Sequence, residues 1–287
     1  MALLVLAAAC NNSTESATGK STDTAADSTQ KHELVKRWET DTLVKVPESV
    51  LVDDANQVLY VSEIDGEPWA ADGKGEIAKI GFDGTIINTD WVTGLSAPKG
   101  MGIVNGKLYV ADITQVAVID IASGKIEKKI AVPGSENLND ITVNGNGVVY
   151  ISDSKANKVF QISEDKPALY LDSLQGPNGL CAKGGDLYLV QMGTGGFYKV
   201  GADKSLTKIA DGMEGGTDGL VNVSGDDFLV SCWSGTIWYI KADGTKTLLL
   251  DTTKEQKNTA DIGYDPATKT VYVPTFFKKS VMAYEVK

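Results

Sequence analysis

Leu59-Tyr60-Val61-Ser62-Glu63 is a phrase that the chain repeats five more times. The copies read LYVAD (108–112), VYISD (149–153), LYLVQ (187–191), FLVSC (228–232) and VYVPT (271–275). Adjacent copies lie about 38 to 49 residues apart, the period of a four-stranded propeller blade. The same parts recur around each copy. A turn with a polar residue comes first, as in Pro47-Glu48 or Pro177-Asn178. An apolar strand, a Gly or Asn turn and the phrase itself follow. A third strand comes next, such as Lys158 to Ile162, then a fourth, such as Ala168 to Asp172. Alternation and β-branched residues run throughout, and no long segment has a helical period. Six such units predict an all-β fold, a six-bladed β-propeller spanning residues 34–287.

The ends fit this count. The sixth unit supplies only three strands, the last being Val281 to Val286. Leu34 to Glu39 is a strand-like run upstream of the first unit. It is expected to pair with the C-terminal strand, closing the last blade and covering its edge.

The first strand of a propeller blade lines the central channel, so the residue just before it faces one mouth. Read in order, these positions are Glu48, Lys99, Asn139 with Asp140, Asn178, Asp218 and Asp261. Glycine follows directly at Gly100, Gly179 and Gly219, letting the backbone turn sharply there. Two carboxylates and two amides make an all-oxygen set that suits Ca²⁺ or Mg²⁺ better than copper. Rim polarity that merely solvates a channel is the competing account. The loops after the second strands should rise on the same face. They carry Trp69 in Ile64 to Gly75, then Met192, Trp233, and Phe276 with Phe277. Over a polar floor they predict an apolar collar for a small-molecule substrate, with Trp69, Trp233, Lys99 and Asp261 in contact. Packing between blades is the alternative for those aromatics other than Trp69.

Composition narrows the chemistry. A net charge of −11 argues against nucleic acid and anionic membrane surfaces. The one histidine is His32, so a Ser-His-Asp or Cys-His arrangement and a histidine zinc site are excluded from the propeller. Cys181 and Cys232 sit in apolar runs and read as buried free thiols. Residues 1–9 are apolar and small, and Cys10 follows at once. This resembles the end of a bacterial lipoprotein signal, in which the cysteine is lipidated. Ala7 stands where that pattern has leucine, and the basic n-region is absent. Residues 10–33 then read as a flexible tether, rich in Ser, Thr, Ala and Asp up to about Gln30. The expectation is a propeller anchored by lipid in the bacterial cell envelope, periplasmic or surface-facing and in the outer membrane. An envelope protein complex is the partner expected beside a small-molecule substrate.

The repeats also resemble the senescence marker protein/gluconolactonase family, related to diisopropyl fluorophosphatase. The resemblance spans about Leu43 to Val286. It is carried by PESVLVDDANQVLYVSE (47–63), NDITVNGNGVVYISDS (139–154), PNGLCAKGGDLYL (177–189) and TDGLVNVSGDDFLVS (217–231). It implies a divalent cation, Ca²⁺ by preference, held by Glu48, Asn139, Asn178 and Asp218. It implies hydrolysis of a lactone or similar ester, with Asp218 as general base or nucleophile. Three features depart from the family pattern. Asn137 stands where family lactonases carry arginine, and Glu48-Ser49-Val50 replaces Glu-Gly-Pro. Lys99 adds a cation that either orients an anionic substrate group or pairs with Asp261 or Asp218. A non-catalytic propeller that binds a ligand or a protein is the alternative function.

Overall fold

The computed structural model describes Met1 and residues 31–287. Cys10, the signal-like stretch and the tether up to residue 30 lie outside the described residues. Six antiparallel sheets of four strands follow one another along the chain. Blades one to five occupy residues 47–95, 98–131, 138–171, 177–210 and 217–251. The sole helix among the described residues is a 3₁₀ turn, Phe276–Lys278.

Blade six takes three strands from residues 263–286 and its outer strand from Leu34–Glu39. That strand runs antiparallel to Val281–Val286, with Leu34 opposite Val286 and Glu39 opposite Met282. The expected closure is therefore present. The seam is strapped further by Trp38, whose indole N–H donates to the Phe82 carbonyl of blade one at 2.9 Å.

The core is divided among the blade interfaces. Blades two and three share Ala111, Val116, Leu138 and Phe160. Blades four and five share Tyr188, Phe197, Leu220 and Phe228. Blades six and one share Val50, Leu59, Tyr272 and Ala283. This follows from strand alternation. Each sheet is twisted and buried on both faces, so the apolar residues of both faces pack against a neighbouring blade. The inner strands are left to line the channel.

Candidate functional site

The inner strands of blades one to five break register with their second strands at the same place. The ladder jumps from Pro47 to Ser49, Pro98 to Met101, Leu138 to Ile141, Pro177 to Leu180 and Thr217 to Leu220. Such irregularities re-aim side chains, and here they fall on Glu48, Lys99, Asn139, Asn178 and Asp218. A backbone N–H removed from the ladder needs another acceptor. The fourth residue of the phrase supplies it where that residue is serine. Ser49 N–H donates to Ser62 Oγ (3.0 Å), Asp140 N–H to Ser152 Oγ (2.9 Å) and Gly219 N–H to Ser231 Oγ (2.8 Å). These serines hold the irregular backbone in place, and their recurrence in LYVSE, VYISD and FLVSC was the readable clue.

The five ring residues line one cavity of about 240 Å³, walled by Trp69, Met192, Trp233 and Phe276. The polar floor and apolar collar expected at one mouth therefore meet. Phe277 is outside this cavity and lines an adjoining groove with Trp233. Lys99 and Glu48 are each 3% exposed, and Lys99 Nζ lies 3.2 Å from Glu48 Oε1. The ammonium also sits 4.2 Å from the centroid of Trp69. This corrects the expected pairing of Lys99 with Asp261 or Asp218. Glu48 belongs to the adjacent blade and offers the nearer carboxylate. Asn178 Nδ2 donates to Asp218 Oδ1 at 3.0 Å, and Asn139 Nδ2 donates to Ser154 Oγ at 2.9 Å. Two buried acceptors remain without a partner, Glu48 Oε2 and Asn178 Oδ1.

Asp261 is not part of this ring. Gly219 abuts Asp261 and Ile262, just as Gly179 abuts Asp218, Gly219 and Leu220. Ala260 therefore holds the ring position of blade six, and Asp261 lies one tier deeper. That tier also holds Ser49, which bridges to Asp261 and donates Oγ–H to its Oδ2 at 2.5 Å. Asp140 shares the tier, accepting the Ile141 N–H (2.6 Å) and the Leu180 N–H (2.5 Å). Both acids line a second cavity of about 390 Å³ with Cys181 and Met101. Glycine is required between them. A Cβ on Gly100 would sit 2.6 Å from Asp140 Oδ1, and one on Gly219 would sit 2.8 Å from Asp261 Oδ1. Asp261 is thus removed from the expected substrate contacts, while Lys99, Trp69 and Trp233 stay at the cavity.

The electrostatics of both tiers are dominated by burial. It pushes the Glu48 carboxyl up, against the opposing pull of Lys99. Asp218 lies well above the ordinary carboxylate range, through burial and then the fields of Glu48 and Asp261. Burial and then Asp261 do the same to Asp140. Asp261 itself is pushed up to about 7 by burial and Glu48. Four carboxylates therefore share the axis with Lys99 as the nearby cation, and the site is short of positive charge. Cys181 is half-buried and Cys232 buried; both are free thiols, each pushed up to about 11 by burial.

The donors present fit a divalent cation. They are hard oxygens, two are unpartnered, and the charge deficit favours a cation. Among the described residues, no three His, Cys, Asp or Glu side chains form a ligand group. An ion here would need the amide oxygens of Asn139 and Asn178 beside Glu48 and Asp218.

No protein-family model matches the chain, and no curated protein matches it in sequence. Solved structures do share the fold. A protein classed by family as a gluconolactonase is 15% identical, with a TM-score of 0.70 over 90% of this chain and 93% of that one. Regucalcin from Agrobacterium tumefaciens, a calcium-binding protein, is 16% identical, with a TM-score of 0.64 over 85% and 91%. A virginiamycin B lyase from Staphylococcus aureus, seen with quinupristin and inactivated by replacing a histidine with alanine, is 15% identical. Its TM-score is 0.62 over 89% and 99%. At these identities the likeness shows the fold that the six phrases predict, a six-bladed β-propeller.

Proposed function

We propose that the chain is a metal-dependent hydrolase acting on a lactone or similar ester at the mouth ringed by Glu48, Asn139, Asn178 and Asp218. The observation that carries this reading is the pair of buried, unpartnered acceptors, Glu48 Oε2 and Asn178 Oδ1, on two residues that line an apolar-walled cavity. The gluconolactonase and regucalcin likenesses support it as fold-level analogy. A bound divalent ion supplies positive charge that polarises a carbonyl and favours ionised ring carboxylates. The chain's own residues do the rest. Trp69, Met192, Trp233 and Phe276 exclude water and hold the apolar body of the substrate. Asn178 holds Asp218 Oδ1 in place by its amide hydrogen bond. Asp218, once ionised, takes a proton from the attacking water or attacks as a nucleophile. Lys99 offers an ammonium to an anionic group of the substrate.

The test is metal analysis of the purified protein, then a panel of lactones and esters with and without chelator. Asp218→Ala is expected to lose metal retention and to lower turnover at least about a hundredfold. Unchanged turnover in that variant would remove Asp218 from the chemistry. A lyase of the kind that depends on a histidine is disfavoured. His32 is stacked on Tyr239 at 3.8 Å and is absent from both axial cavities. A binding role is the second reading, favoured by the Lys99–Glu48 pair that already occupies part of the ring.

The envelope location is likewise our proposal, resting on Cys10 and the tether that follows it. No helix among the described residues is long and apolar enough to cross a membrane. Cys10→Ser is expected to shift the protein from the membrane fraction to the soluble fraction. Retention with membranes in that variant would refute lipid anchoring through Cys10.

A further inference from the structure

We propose that Lys99 is the ring's resident cation, which a divalent ion must displace from Glu48 before it can bind. The inference rests on the metal reading above and names the residue that sets the affinity. Four of the five ring side chains that line the cavity carry oxygen donors, and Lys99 alone carries a positive charge. It is as buried as its partner, with 3% of each exposed. Its ammonium engages Glu48 Oε1 at 3.2 Å, while Oε2 of the same carboxylate has no partner. Lys99 therefore occupies half of a carboxylate that a metal would need.

Charge makes the two occupants exclusive. Glu48 and Asp218 carry two negative charges when ionised, Lys99 carries one positive, and the asparagines are neutral. A dication added beside an unmoved Lys99 would leave a net positive charge in a buried ring. With Lys99 withdrawn from Glu48, the ion and its two carboxylates are balanced. Like charges a few ångströms apart in a protein interior repel by far more than thermal energy. The ammonium already has a second partner besides the carboxylate. The face of Trp69 is 4.2 Å from Nζ, on a ring that is 37% exposed at the cavity mouth. This cation–π contact does not depend on the carboxylate, so an outward shift of Nζ along the exposed ring would give up Glu48 while keeping Trp69. Metal entry and release of Lys99 are then one exchange, and the freed ammonium faces the collar.

The test is calorimetric titration of the full chain with Ca²⁺ at pH 7.5, beside thermal melts in chelator and in Ca²⁺. Lys99→Met is expected to bind Ca²⁺ at least about tenfold more tightly than the parent, because its competitor is gone. It should also melt lower than the parent in chelator and gain more from Ca²⁺. Lys99→Arg keeps the charge and should bind no more tightly than the parent. If Lys99→Met does not fold in chelator, refolding it in Ca²⁺ decides the matter. Recovery of a cooperative melt supports the exchange, and failure to recover overturns it. Binding by the parent with no gain in Lys99→Met, or an equal gain in Lys99→Arg, overturns the exchange and leaves the metal reading standing. Absence of binding by both parent and Lys99→Met removes the metal reading and this proposal with it.

Discussion

At the scale of single residues, the last letter of the phrase is an acceptor for backbone N–H groups in several blades. Asp112 accepts the Ser96 and Ala97 N–H groups, and Gln191 accepts the Gln175 N–H at 2.5 Å. Glu63 stands at the same position in blade one, fully buried, with neither carboxylate oxygen partnered. Burial pushes its carboxyl up to about 8, with Glu76 adding to the shift and Lys45 opposing it. The folded chain thus keeps a proton on Glu63 that the unfolded chain loses above about 4.5. Stability from this group is complete below that value and falls as pH rises towards 8. Glu63→Gln keeps the shape and cannot ionise, as Gln191 already illustrates. Its melting temperature is expected to equal or trail the parent's at pH 5 and to exceed it by about 5 °C at pH 9. A gap that does not change with pH would refute the assignment.

At the scale of elements, the irregular inner strand with its latch is the unit that builds the site. Asp153 is the fullest latch. It accepts N–H groups from Glu136 (2.6 Å), Asn137 (3.1 Å), Lys155 (3.1 Å) and Ala156 (2.7 Å). It therefore fixes both the turn that enters the Asn139 strand and the loop that carries Ser154, the partner of Asn139. Asp153→Ala strands several backbone donors at once and should cost about 2 to 4 kcal/mol in urea unfolding. Asp112→Ala leaves fewer donors unpaired and should cost less; the reverse order would reject the latch account. The same unit shows what the sequence made legible. All five ring residues were readable because the turns PES, PKG, NDI, PNG and TDG keep a polar letter in step with the phrase. Blade six breaks this pattern, because its polar letter Asp261 falls one position past the ring. Aligning Thr259 with Thr217 instead places Ala260 on the ring, as found. Blade order already set Glu48 beside Lys99; the choice of Glu48 over Asp218 follows from side-chain packing, which leaves no letter in either blade.

At the scale of the whole molecule, a propeller is held by neighbouring pairs of blades, so the one seam closed by strand pairing governs its integrity. Here the seam is closed by Leu34–Glu39, and the count of phrases together with the missing twenty-fourth strand made that closure predictable. Glu39 is the polar clasp. It accepts from Lys257 (2.7 Å) and Ser280 (2.7 Å) through Oε1, and from Lys36 (2.6 Å) through Oε2. Burial alone would raise its carboxyl, but the bonds from Lys257, Lys36 and Ser280 outweigh that and hold it down to about 2. A depressed carboxylate stabilises the fold fully above its unfolded value near 4.5, and that stability is lost as pH falls towards 2. Glu39→Gln removes the charge but keeps the size. It is expected to lower stability by about 1 to 3 kcal/mol at pH 7, since two ammonium partners and a hydroxyl lose an ionised acceptor. The deficit should shrink steadily below pH 4.5, where the parent loses the same interaction. Hydrogen exchange offers the spatial check: amides of Val281–Val286 should lose protection in the variant before those of blade three do. Uniform loss around the ring would mean that the clasp is not what keeps it shut.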